Sequence, residues 1–255
     1  MPASYAHYRF GRQLLPTLPP EIRQNIQHFR RMYDAGLQGP DFFFYYNPLV
    51  STPTGQLGKI FHQQTGRKFF AAACRAASSD AAMAYLYGLL AHYCLDAACH
   101  PFVNRLAAIG EAGHVRLESE FERFLLEKDG EAAPHLFDAG KYLKLTRGEC
   151  ITAAGFFPPA TGAKVSRSVR SMKLCIRLLA HPNRQLQARI LEKTAPRLLD
   201  FRIPEESTDD LAPYVSELYR LYHQALEQYP LLLQELTAHL QDGEDLSEAF
   251  APSFG

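Results

Sequence analysis

The chain has 255 residues, enough for one large domain or a domain with a sizeable extension, and enough to bury a full core. Hydrophobic residues make up 47% and charged residues 21%, the balance of an ordinary globular chain. Lys plus Arg and Asp plus Glu both number 27, so the formal net charge is zero. No global field draws such a chain to nucleic acid or to an anionic membrane, although a local basic groove stays open.

The five cysteines, Cys74, Cys94, Cys99, Cys150 and Cys175, are an odd set without a repeated spacing. This reads as free thiols in a reducing compartment rather than a disulfide framework. The opening MPASYAHYRFGRQ has no apolar h-region, which points to a cytoplasmic protein.

In chain order, Pro19 and Pro20 precede a helix expected from about Glu21 to Asp34 and ended near Gly36. An irregular aromatic loop follows, Gly39-Pro40-Asp41-Phe42-Phe43-Phe44-Tyr45-Tyr46, with Pro48 and Pro53 beyond it. Helices are expected at Leu57–Thr65, Lys68–Ala77, Asp80–Cys99, His114–Lys128, Lys164–Leu179, Arg184–Leu198 and Asp210–His239, with Asp80 as the N-cap of the central one. Between Ala81 and Val103 the only formal charge is Asp96. The run is long enough to span a bilayer, yet it carries two imidazoles and a carboxylate and meets Pro101, so it reads as a buried helix. Glu131–Ala163 is rich in Gly, Pro and small residues and reads as a connection. With no alternating strand pattern, the fold class is all-α. The expected organisation is a helical core at 1–130, a connecting segment at 131–163, and C-terminal helices at 164–255 that pack on the core.

The chemistry concentrates in the first half. His92, Asp96 and His100 are spaced four apart, so on a helix they form one polar ridge on an apolar background. Burying such groups without partners costs several kcal/mol, and a divalent cation serves all three at once. Asp96, in the middle, has two oxygens with which to bridge two ions. A core His–Asp hydrogen-bonded pair is the plainer alternative. His114 and Glu118 repeat the four-residue spacing, and Gly110 and Gly113 make a tight loop able to fold them back towards His100. Asp41 heads the aromatic run as a turn cap or a site group. His7 and His62 are single histidines, which in isolation are usually structural.

Taken in order, His7, Asp41, His62, His92, Asp96, His100, His114 and Glu118 resemble the metal-ligand series of the bacterial zinc-dependent phospholipases C, a scaffold shared with single-strand nucleases. The resemblance covers roughly residues 1–128. It implies a helical bundle with a multi-zinc site of two or three Zn2+ ions, and hydrolysis of a phospholipid or other phosphodiester. By analogy Asp41, His62, His92 and Asp96 hold one zinc, His100, His114 and Glu118 a second, and His7 with bridging Asp96 a third. Asp41 is the expected catalytic carboxylate, orienting or deprotonating water. Phe42, Tyr45 and Lys59 are the expected substrate-binding residues. Family members that prefer choline surround it with aromatics, so a cation at Lys59 turns preference towards an anionic group.

Two departures stand out. The secreted members use an N-terminal tryptophan at the third zinc, and this chain has no tryptophan, which leaves Pro2 as a substitute or the third site weak. His100 also follows Asp96 more closely than in those enzymes. The competing readings are a nuclease on the same scaffold and a metal-stabilised binding protein without turnover. The basic stretch Lys164–Arg177 reads as a solvated helix face or as a helix that meets an anionic surface.

Overall fold

The structure is a computed structural model, and it describes residues 4–194 and 196–255. The described residues form eleven α-helices joined by loops and 3-10 turns; the one β element among them is a single antiparallel bridge between Thr65 and Ser253. The helices are α1 (Ser4–Leu14), α2 (Pro20–His28), α3 (Arg30–Gly36), α4 (Gln56–His62), α5 (Gly66–Ala76), α6 (Asp80–Ala108), α7 (His114–Lys128), α8 (Arg147–Ala154), α9 (Gly162–Leu179), α10 (Arg184–Thr194) and α11 (Ala212–Asp242). The all-α expectation is met. None of the described helices is long and apolar enough to cross a membrane.

Helix α6 is the axis of the bundle. The Ser79 hydroxyl accepts from the Ala82 amide and caps it, with Asp80 in the first turn, where an acid favours the positive end of the dipole. The cap is therefore Ser79, one residue before the expected Asp80. Its Ala- and Leu-rich sequence is buried on nearly every side, as expected of a helix surrounded by others. It runs through Pro101 rather than stopping before it. A proline removes one donor from the ladder, and the packing around α6 outweighs that local cost.

Helices α3 and α11 lie along α6, with α1, α2, α5, α7 and α8 around the rest. The α3–α6 crossing is backbone to backbone. A Cβ on Gly36 would lie 2.3 Å from the Tyr85 carbonyl oxygen, and one on Gly88 would lie 2.3 Å from that of Tyr33. Gly88→Ala is therefore expected to push α3 away from the helix that carries His92, costing about 1–3 kcal/mol as overpacking does. Urea denaturation checks this; an unchanged midpoint would mean that the crossing yields freely.

Three expectations on local structure need correction. The helix expected over 21–34 is two helices, because Phe29 (φ −108°, ψ 39°) leaves helical geometry between α2 and α3. The aromatic loop contains a 3-10 turn at Asp41–Tyr45. The segment 131–163 holds α8, opened by a reciprocal box in which Thr146 and Glu149 each accept from the other's backbone. Helix α1 was not anticipated at all. The C-terminal helices pack on the rest: α11 lies on α6 and α7, and α9 on the Asp41–Tyr45 turn. After α11 the chain doubles back, and Phe250 and Phe254 are fully buried.

Candidate metal centre

All eight sequence-predicted side chains meet in the middle of the bundle. His7 comes from α1, Asp41 from the 3-10 turn, His62 from the end of α4, His92, Asp96 and His100 from α6, and His114 and Glu118 from α7. Seven are buried, and His114 is one-third exposed. Asp96 is the hub. Its Oδ1 lies 3.2 Å from His7 Nε2, and its Oδ2 lies 3.0 Å from His92 Nε2 and 3.6 Å from His62 Nε2. Asp41 Oδ1 lies 2.9 Å from His62 Nε2 and 3.9 Å from His92 Nε2. Glu118 Oε1 lies 2.8 Å from His114 Nε2 and 3.6 Å from His100 Nε2. Three groups thus have candidate ligand atoms within 4.8 Å of one another: His62, His92 and Asp96; His100, His114 and Glu118; and His7, Asp41 and His92.

Most of these close approaches are not well-formed hydrogen bonds. The Nε2 atoms of His7, His62 and His92, both oxygens of Asp96 and both oxygens of Glu118 are buried and lack a hydrogen-bond partner of good geometry. Buried polar groups normally find such partners, so lone pairs that converge on shared space fit a cation. The far sides of the rings support this. His62 Nδ1 donates to the Gly58 carbonyl at 2.7 Å and His92 Nδ1 to the Leu37 carbonyl at 3.1 Å, and His100 Nδ1 donates to the Phe254 carbonyl. A carbonyl on one ring nitrogen fixes the tautomer that points a lone pair inward from the other. Histidine nitrogens and carboxylate oxygens four to a site are the donor set that zinc prefers.

Local sequence explains the aim of several side chains. Gly39 has φ +46° and its absent Cβ would lie 2.4 Å from the His92 ring, so the Gly39-Pro40 turn lays Asp41 against α6 only because residue 39 is glycine. Glu122, one turn after Glu118, was missed by the sequence reading. It is buried, and its Oε1 accepts from the backbone amides of Tyr5 at 2.5 Å and Ala6 at 3.1 Å. It anchors the first turn of α1 and so places His7; its four-residue spacing from Glu118 was the signal available.

Burial raises the Asp96 and Asp41 carboxyls, but the surrounding positive charge, including that of the imidazoles, overcomes it and holds both well below the usual range. Burial lowers His62, and Asp41 and Asp96 overcome that, raising it to about 9. His7 is lowered by burial and by His92. Glu122 differs: burial outweighs its two amide donors and raises it to about 8 from 4.5. A group raised on folding contributes stability below its unfolded pKa and loses it as pH rises through the folded one. The metal-free protein should therefore lose part of its stability between about pH 4.5 and 8 on account of Glu122. Urea midpoints for the parent and Glu122→Gln across that range should diverge; parallel curves would show that Glu122 does not titrate there.

The substrate-binding expectations fare differently. Phe42 is fully buried against Phe43 and Phe157, and Tyr45 is almost fully buried, so neither presents a surface to a substrate. The aromatic run winds through a 3-10 turn, which turns Phe44 outward instead, its ring centroid 5.2 Å from that of His62. Lys59 is exposed, three residues before His62. The far wall is formed by Phe254, which packs on His62, His92, Phe69 and Tyr93. The Gly255 amide donates to the His62 carbonyl at 3.2 Å. No local motif in the sequence announced this wall. Among His7, Asp96, His100 and Glu118 the structure leaves a cavity of about 30 Å3, room for about one water molecule. Residues 1–3, where a substitute for the missing tryptophan was sought, lie outside the described residues.

A model of the zinc-dependent phospholipase C family matches residues 6–154. Searches of curated proteins and of solved structures return no match. The match spans more than half of the chain and takes in all of the residues that converge on Asp96, so the chain belongs to the zinc-dependent phospholipase C family.

Proposed function

We propose that the protein hydrolyses the phosphodiester of phospholipids in a zinc-dependent phospholipase C reaction. The observation that carries this is the convergence of eight buried or half-buried candidate ligands on one centre, within the segment that the family matches. In this reading Asp41, His62, His92 and Asp96 hold one zinc, His100, His114 and Glu118 a second, and His7 with Asp96 a third. Bound zinc supplies a water of lowered pKa and offsets charge on the phosphoryl oxygens.

The chain's own residues supply the rest. Asp41 is kept ionised by the positive charge around it, so it is ready to orient a water and take its proton. The carbonyls behind His62, His92 and His100 hold the rings in one orientation, which lowers the reorganisation required during reaction. Phe44 and Phe254 limit bulk water around the centre. Of the substrate-binding expectations, Lys59 is retained and Phe44 takes the place of Phe42 and Tyr45. The cation at Lys59 disfavours the quaternary ammonium of choline. The five cysteines form no disulfide, which supports a reducing, cytoplasmic setting.

The test is zinc-loaded protein incubated with choline, ethanolamine, serine, glycerol and inositol phospholipids, with single-stranded DNA as the nuclease control. Diacylglycerol and a phosphorylated headgroup should appear, vanish on chelation, and show weak preference for choline. Cleavage of DNA alone would establish the nuclease reading. The absence of any zinc-dependent product would decide for a metal-stabilised protein without turnover.

A further inference from the structure

A net charge of zero conceals a strong segregation. Residues 42–79 contain Lys59, Arg67, Lys68 and Arg75 and not one Asp or Glu. Residues 150–183 contain Lys164, Arg167, Arg170, Lys173 and Arg177, and again no acid. All 27 acidic residues lie outside these two stretches.

The fold brings the two stretches together. Helix α9 packs on the Asp41–Tyr45 turn. Arg167 donates to the Asn47 side chain at 2.5 Å, and its guanidinium sits 5.2 Å from the centre of the Tyr46 ring. Arg167, Arg170 and Leu174 are exposed along one face of α9, at positions that a helix aligns. Arg67 pairs with Glu248 and Arg177 with Asp138. Lys59, Lys68, Arg167 and Arg170 form no ion pair among the described residues.

The same stretches carry most of the exposed apolar bulk. Phe44, Leu49, Val50 and Ile60 are 40%, 63%, 61% and 48% exposed, and Ile151 and Leu174 are 61% and 68% exposed. Exposed apolar tips and unpaired cations, carried on two stretches that contain no acid of their own, are complementary to one kind of surface. Apolar side chains enter the boundary between headgroups and acyl chains while Lys and Arg stay with anionic headgroups. Nucleic acid fits less well, because Leu49, Val50 and Ile60 are aliphatic and give bases nothing to stack on.

We propose that the 44–60 loop together with the outward face of α9 is a docking surface for an anionic lipid bilayer. Phe44, which borders the candidate centre through His62, belongs to this surface, so docking presents the centre to the lipid. The orientation rests on the phospholipase reading; the binding itself does not.

The experiment is co-sedimentation of the zinc-loaded protein with vesicles of phosphatidylcholine alone and of phosphatidylcholine with an equal part of phosphatidic acid, whose phosphate is a monoester and leaves no headgroup to be removed. Two variants change exposed residues outside the candidate centre, Leu49→Ser with Val50→Ser, and Arg167→Glu with Arg170→Glu. Leu231→Ser, an exposed leucine on α11, is the control. The parent and the control should sediment with the anionic vesicles and not with the neutral ones, and high salt should release them. Each double variant should lower the bound fraction about tenfold while melting as the parent does. All of these proteins should hydrolyse a monomeric short-chain phospholipid at the parental rate, so that failure to dock is distinguished from failure of the centre. Equal binding to neutral vesicles, no binding of the parent, or variants that bind as the parent would overturn the proposal. So would displacement of the vesicles by single-stranded DNA with the same loss in both double variants, which would assign the surface to nucleic acid.

Discussion

Asp96→Ala, prepared under conditions that load the parent with zinc, is expected to lose most of its bound metal and about 3–5 kcal/mol of stability. Asp96 lies within 4 Å of four histidines, namely His7, His62, His92 and His100. Without it, the buried rings of His7 and His92 retain no carboxylate at hydrogen-bonding distance, and only Asp41 and Glu118 remain to balance a cation. A buried pair broken on one side costs more than the pair ever contributed, because the remaining groups are desolvated and unmatched. Zinc content by mass spectrometry and urea unfolding measure the two losses separately. Full zinc content in the variant would remove Asp96 from its bridging role.

Asp41→Asn should lower turnover about 10²- to 10⁴-fold on every phospholipid tested, the range associated with a lost general base. Asparagine keeps the shape that the Gly39-Pro40 turn accommodates, so the fold should survive. It removes the negative charge 2.9 Å from His62 Nε2 and the ability to take a proton. Zinc stoichiometry separates two causes. A slow enzyme with its metals in place points to proton transfer, and a slow enzyme that has lost metal points to ligation. Parental turnover in the variant would exclude both. The loss should not depend on headgroup, because the phosphodiester is common to all of these substrates.

The candidate centre was legible in the sequence because helical spacing converts directly into geometry. His92, Asp96 and His100 had to share a face of α6, and His114 and Glu118 a face of α7. The way in which separate helices meet was not legible. It depends on Gly36 and Gly88 bringing two backbones together, and on Gly39 passing over the His92 ring, which are tertiary facts without a periodic signature. That Phe44 is exposed while Phe42 and Tyr45 are buried was not legible for a related reason. In five consecutive aromatics every position looks alike, and only the 3-10 turn decides which ring faces out. Helix α1 was overlooked because its apolar residues are interrupted by Arg9 and His7, whose partners Asp129 and Asp96 are far along the chain. The short helix α8 was hidden by Gly148, although Thr146 and Glu149 stood at the spacing of a capping box.

The wall made by Phe254 sets an order of events during synthesis. The eight candidate ligands have all left the ribosome once Glu118 has emerged, whereas the carbonyl that pins His100 lies 154 residues beyond it. A nascent chain therefore displays the donors while one side of their chamber is still open. Folding of the segment around Phe254 then closes that side and fixes His100. An ion bound early would be trapped, and one entering the finished protein would have to wait for the segment to open. Exchange of zinc into a strong chelator should accordingly be slow in the parent and faster in Phe254→Ala. Time courses of metal release would show whether the Phe254 wall acts as the latch.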